Sequence, residues 1–238
     1  MISGRETRYR GTLGTSIVKV FGLAAGSVGL SEKSALRNKI AYEKAVIHSK
    51  THAGYYPGAE QITLKILFRP GDGLILGAQA VGREAVDKRI DVLATAIAAG
   101  WTVFDLEDLD LSYAPPFSSA KDPVNHAGTV AAGMLRGDHP TLSLDQLPRA
   151  LEEGAFLLDV RSAGEFARGS IPGAVNIPVD ELRGNLARVP RDRKVVVYCE
   201  VGVRGYLAAR QLMQNGFEVT NLLGGYRLWS VVRENANL

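Results

Sequence analysis

The stretch Lys194-Val195-Val196-Val197-Tyr198-Cys199-Glu200-Val201-Gly202-Val203-Arg204-Gly205 decides how the carboxyl-terminal half of this chain is read. Val195 to Tyr198 is an unbroken apolar run, the pattern of a strand buried on both faces of a parallel sheet. It leads directly into the chain's single cysteine, then into a loop and an amphipathic helix. In open α/β sheets, ligand sites gather at the carboxyl ends of strands, where a loop feeds the next helix. Cys199 stands at such a place. The loop can turn its backbone N–H groups toward the sulfur, and together with the helix N-terminus it stabilises a sulfur anion. Gly202 permits tight curvature, and Arg204 can fold its guanidinium back over an anionic substrate. A buried cysteine is also an ordinary core residue. The composition of the loop favours the reactive reading, with Cys199 and Arg204 as catalytic candidates and Glu200, Val201, Gly202, Val203 and Gly205 as their frame.

Working outward, strand and helix patterns alternate from residue 143 on. A capped helix runs to 153, and an apolar run at 155–160 precedes a helix at 163–168 and a strand at 174–177. A helix near 180–186, the strand 194–198, a helix at 204–215, a strand at 218–222 and a last helix from 225 complete the series. Such a βα repeat predicts an α/β domain with a central parallel sheet. Upstream the pattern differs. Strand-like runs at 16–21, 42–49, 62–68 and 74–80 come first, the last two joined by the hairpin turn Pro70-Gly71-Asp72-Gly73. Ser31 can cap a short helix at 32–39, and longer helices are expected at 83–99 and, after Asp122, at 123–135. Strands followed by helices predict an α+β domain, an antiparallel sheet with helices. With a linker at 136–141, the expected division is 1–138 and 139–238.

Composition narrows the function. The 28 Lys and Arg are interspersed with 25 Asp and Glu, for a net charge of +3, which gives no support to nucleic-acid binding. No apolar run approaches the ~18 residues of a membrane span, and the first residues lack an apolar signal segment, so a cytoplasmic protein is expected. A single cysteine forbids an internal disulfide, and with four scattered histidines no metal site is expected. All sulfur chemistry must run through Cys199.

Residues 141–238 resemble the rhodanese family. The matching residues are Leu157-Leu158-Asp159-Val160-Arg161, Glu165-Phe166, Ile171-Pro172-Gly173-Ala174-Val175-Asn176-Ile177-Pro178, Tyr198-Cys199 through Arg204-Gly205, and Leu223-Gly224-Gly225-Tyr226 with Trp229. The resemblance implies a sulfurtransferase in which Cys199 accepts a sulfane sulfur as a persulfide and passes it on. The loop has one residue fewer between Cys199 and Arg204 than related phosphatases, which argues against phosphate chemistry. Glu200 stands where thiosulfate-preferring relatives tend to be basic, so a larger thiol persulfide is the expected donor in preference to thiosulfate. Ser170 replaces a histidine that is usually structural. Asp159, Arg161 and Glu165 are read as an ion-paired strand-to-helix corner.

The first 140 residues resemble the dimerisation domain of flavin-dependent disulfide reductases, in the coenzyme A-disulfide reductase and NADH oxidase branch. Gly14-Thr15-Ser16-Ile17-Val18-Lys19-Val20-Phe21, His52-Ala53-Gly54-Tyr55-Tyr56-Pro57-Gly58-Ala59, Tyr113-Ala114-Pro115-Pro116-Phe117-Ser118 and Ala120-Lys121-Asp122-Pro123-Val124-Asn125 carry the likeness. It implies a homodimer, with Tyr55 and Tyr113 reaching a partner's active site. A tyrosine on a surface turn is the plainer alternative. FAD, NADH and coenzyme A are implied for a full-length relative, but no Gly-x-Gly-x-x-Gly turn occurs here and no cofactor is expected on this chain alone. The expectation is a sulfurtransferase corresponding to the carboxyl-terminal part of such a reductase, without flavin reductase activity of its own. The alternative is a non-catalytic dimerisation and sulfur-binding fragment that associates with a flavoprotein reductase. A longer gene upstream of Met1 is a third expectation.

Overall fold

A computed structural model describes residue 4, residues 8–9 and residues 11–236; most of the amino-terminal stretch read for a signal segment, and the last two residues, lie outside it. Among the described residues, no helix is long and apolar enough to cross a membrane.

The first half is an antiparallel five-stranded sheet carrying helices. Its strands are β1 (Ser16–Val20), β2 (Leu23–Gly29), β3 (Glu43–Lys50), β4 (Gln61–Phe68) and β5 (Ile75–Gly82), in the order β1-β2-β5-β4-β3. Helix α1 (Glu32–Arg37) begins at Ser31, whose side chain caps it as expected. Helices α2 (Val86–Ala98), α3 (Val103–Asp108) and α4 (Pro123–Leu135) follow. Ile62, Leu64, Ile66 and Phe68 of β4 meet Ile90 and Leu93 of α2 and Ala127 and Ala131 of α4 in one buried cluster. Strand β2 has no counterpart among the strands read from sequence. Its run Leu-Ala-Ala-Gly-Ser-Val-Gly is poor in β-branched residues because α2 crosses it closely, with Ile90 against Gly26. Helix α3 likewise has no counterpart among the helices expected from the sequence; Thr102 and Asp105 form its capping box.

A buried ion pair fastens the helices of this domain. Arg89 on α2 reaches the Asp122 carboxylate at 2.7 Å and the Thr51 carbonyl at 2.7 Å, and Asp122 also accepts from the Ser118 hydroxyl and caps α4.

The second half holds a parallel sheet of β6 (Thr141–Leu142), β7 (Phe156–Asp159), β8 (Val175–Asn176), β9 (Val195–Tyr198) and β10 (Val219–Leu222), in the order β6-β10-β9-β7-β8. Between them run α5 (Leu147–Glu152), α6 (Ala163–Ala167), α7 (Val179–Leu182) and α8 (Val203–Gln214), and α9 (Gly225–Ala236) closes the chain. Short strand β6 begins inside the stretch read as linker, pairing Thr141 and Leu142 with Asn221 and Leu222. β9 lies between β10 and β7, and all four of its residues are buried, as a central strand requires. Cys199, which directly follows β9, therefore sits at the end of the sheet's middle strand.

Candidate sulfur site

Cys199 is 1% exposed and is a free thiol. The N–H of Gly202 donates to its sulfur at 3.1 Å. Gly202 holds φ at 117°, a region that a side chain strongly disfavours, and it stands immediately before α8. The helix thus starts earlier than read from sequence, so Val203 and Arg204 form its first turn and the irregular loop is only Glu200 to Gly202. Where the sequence predicts backbone amides converging on the sulfur, Gly202 is, among the described residues, the one whose amide donates to it. Gly205 packs against β10, where the Asn221 side-chain oxygen lies 2.2 Å from the position a Cβ would take.

Arg204 lies beside the Cys199 sulfur, but its fork is occupied. Nη1 and Nη2 reach the two carboxylate oxygens of Glu165 at 2.7 and 2.6 Å, a bidentate pair. The same carboxylate accepts from the Ser162 amide and hydroxyl in the capping box of α6. Arg204, foremost among these partners, holds the Glu165 carboxyl down to about 2. Glu165 therefore does not belong to the Asp159–Arg161 corner, where the sequence reading put it. It lies beside the sulfur loop, and an incoming anion would meet an ion pair in place of a free cation.

Asp159 and Arg161 do form the corner, buried and joined at 2.8 Å. Arg161 extends further, to the Gly169 carbonyl at 2.6 Å, to Glu200 at 3.2 Å and over the ring of Tyr226 at 3.9 Å. Arg227 lies 3.8 Å from the other oxygen of Glu200. Arg161, already paired with Asp159, and Arg227 therefore both lie against the acid that follows Cys199, which offsets part of its charge. The Ser162-x-x-Glu165 capping signature could have placed Glu165 at a helix start, but nothing in the sequence ties position 165 to 204 or 161 to 200.

In the first domain, the Tyr55 and Tyr113 hydroxyls lie 3.2 Å apart, on two connecting segments 58 positions distant in sequence. Both rings are exposed, Tyr55 more than Tyr113, and the Tyr55 hydroxyl is held above its ordinary value chiefly by that hydrogen bond. Tyr113 and Phe117 border a cleft of about 390 Å³ that also includes His52 and Lys88. Neither tyrosine approaches Cys199 through any described contact, so the chain carries two separated groups of candidate residues. His48 donates into the second domain, from Nε2 to the Gly224 carbonyl at 3.2 Å, and Lys44 pairs with Asp145 at 2.8 Å.

Comparison with known proteins bears on both halves. The rhodanese-like domain family matches residues 143–231, and the pyridine nucleotide-disulphide oxidoreductase dimerisation domain matches residues 15–123. Reduced CoADR-RHD from Bacillus anthracis superposes with a TM-score of 0.95 at 47% identity, over 98% of this chain and 42% of that one. An NAD-dependent persulfide reductase from A. fulgidus gives 0.86 at 39% identity, over 96% of this chain and 42% of that one. The coenzyme A disulfide reductase of Staphylococcus haemolyticus is 41% identical over 120 residues, 50% of this chain and 27% of the relative. This chain thus spans less than half the length of these relatives. It joins a pyridine nucleotide-disulphide oxidoreductase dimerisation domain to a rhodanese-like domain, the arrangement found in the carboxyl-terminal region of CoADR-RHD.

Proposed function

We propose that this chain is a sulfurtransferase whose reacting atom is the Cys199 sulfur, in a rhodanese unit at 139–238 carried on a dimerising unit at 1–138. The observation that carries the reading is the Gly202 N–H at 3.1 Å from that sulfur, at the end of the central strand and the start of α8. In the first step the Cys199 thiolate attacks the outer sulfur of a donor persulfide. The donor's S–S bond breaks, the donor leaves as a thiolate, or as sulfite where thiosulfate is the donor, and a persulfide anion remains on Cys199. In the second step an acceptor thiolate attacks the outer sulfur and Cys199 returns as thiolate. The two steps exchange one S–S bond for another, with no net oxidation.

The Gly202 amide can donate to anionic sulfur in both states, and the helix start adds its partial positive charge. Arg204, clamped by Glu165, sets a fixed wall beside the sulfur. With the Glu200 charge partly offset by Arg161 and Arg227, low-molecular-weight thiol persulfides and thiosulfate are both candidate donors; the persulfide reductase among the relatives favours the former. Replacing Cys199 with Ser is expected to abolish turnover with glutathione persulfide and with thiosulfate; unchanged turnover would refute the assignment.

The exposed Tyr55–Tyr113 pair supports a second reading, in which the first domain pairs with another copy and presents these hydroxyls to a flavoprotein reductase. In that case the chain is a dimerising, sulfur-holding module. A monomer in light scattering that binds no flavoprotein would refute it.

A further inference from the structure

The sulfur loop is framed from behind by a turn that the other domain holds. Tyr226, at the start of α9, donates its N–H to the Cys199 carbonyl at 2.8 Å, and Arg227 donates to the Glu200 carbonyl at 3.1 Å. A peptide unit is planar and trans, so anchoring these two carbonyls also fixes the directions of the Glu200 and Val201 N–H groups. The residue preceding this helix start is Gly224, and its carbonyl accepts from Nε2 of His48 on β3, 176 positions away in sequence. The other ring nitrogen of His48 faces the hydroxyl of Thr63, its register partner on β4, at 2.8 Å. A neutral imidazole offers one donor and one acceptor, and here both are used. Burial, with Arg227 nearby, pushes His48 down to about 4, so the neutral ring is the form present near pH 7.

We propose that His48 is a positioning residue for Cys199: through Gly224 it sets the turn that anchors the first two peptides of the sulfur loop. Docking of the antiparallel sheet thereby becomes part of the sulfur site, and the dimerisation domain tunes a cysteine that it does not contain. The functional consequence rests on Cys199 as the reacting atom, whereas the positional claim is independent of any turnover.

The test is hydrogen exchange, read by mass spectrometry on full-length protein, over the peptide covering residues 199–206. His48→Phe keeps an aromatic ring and removes the donor. Exchange should accelerate in 199–206 and not in β4 or β5, and His48→Gln, which restores an N–H donor, should return it toward wild type. In sulfur transfer, His48→Phe should lower kcat several-fold with little change in KM. If His48→Phe fails to fold, Thr63→Val, which removes only the partner of Nδ1, should give the same loop-confined acceleration. Unchanged exchange at 199–206 in His48→Phe, or in Thr63→Val where that variant decides, would overturn the proposal. A wild-type protein without turnover but with the expected exchange pattern would instead refute the sulfurtransferase reading and leave the positioning intact.

Discussion

Arg204 gives both terminal guanidinium nitrogens to the two oxygens of Glu165, so the cation beside the Cys199 sulfur is already half of an ion pair. Releasing it should change which donors the site accepts. Glu165→Gln removes the counter-charge while keeping a hydrogen-bonding group for the start of α6. The expected result is a lower KM for the dianion thiosulfate, by up to about tenfold for ~1.4 kcal/mol of added anion attraction, with a smaller change for a thiol persulfide, whose sulfur carries a single negative charge. Steady-state kinetics with the two donor types checks this.

Gly202 holds a backbone conformation that only glycine adopts cheaply, and its N–H donates to the sulfur. Nothing lies within 4 Å of a Cβ built there, so Gly202→Ala tests conformation without collision. It should cost about 1–3 kcal/mol or else relax φ and swing the amide off the sulfur. Either way sulfur transfer should fall; chemical denaturation and kinetics on the same variant separate the two outcomes.

Arg89 is fully buried and paired with Asp122. Arg89→Ala leaves a carboxylate uncompensated in the core and should destabilise the first domain by about 3–5 kcal/mol. Arg89→Ala with Asp122→Asn should recover part of that loss, as a double-mutant cycle in urea would show. Rhodanese-domain activity at permissive temperature should be affected less than stability.

Acid should weaken the fold in a defined window. Burial pushes both His48 and His139 down from 6.5 to about 4, and the His139 ring lies 2.9 Å from the Asn221 amide nitrogen, for which it acts as acceptor only when neutral. Above 6.5 both residues are neutral in folded and unfolded chains, and stability is unaffected by them. Between 6.5 and about 4 the unfolded chain binds protons that the folded one refuses, so stability falls with pH, by up to about 3 kcal/mol per histidine, and levels off below. His48→Gln should flatten that part of the pH–stability curve measured by urea unfolding.

The parallel sheet and Cys199 at its centre were legible because they rest on local patterns: a run of four apolar residues, a glycine at the turn and an amphipathic helix. The hairpin at Pro70–Gly73 and the caps at Ser31 and Asp122 were legible for the same reason. Strand β2 was not, since its small residues answer to α2 crossing above them and not to strand preference. The pairings that shape the site were also hidden. Glu165 with Arg204, Arg161 with Glu200 and His48 with Gly224 join positions 39, 39 and 176 apart, and no periodicity encodes such contacts. The donor expectation drawn from an acid at Glu200, where thiosulfate-preferring relatives tend to be basic, does not take in the arginines that lie against it.

The most direct test follows the sulfur atom. A donor persulfide carrying isotopically labelled sulfane sulfur is mixed with excess enzyme, quenched over time and mapped by mass spectrometry, with an acceptor thiol added in a second stage. The label should appear on Cys199 at least as fast as steady-state turnover and then leave to the acceptor at a competent rate, and Cys199→Ser should transfer none. Label reaching the acceptor at the wild-type rate in Cys199→Ser, or a Cys199 persulfide that never gives up its sulfur, would contradict transfer through this residue.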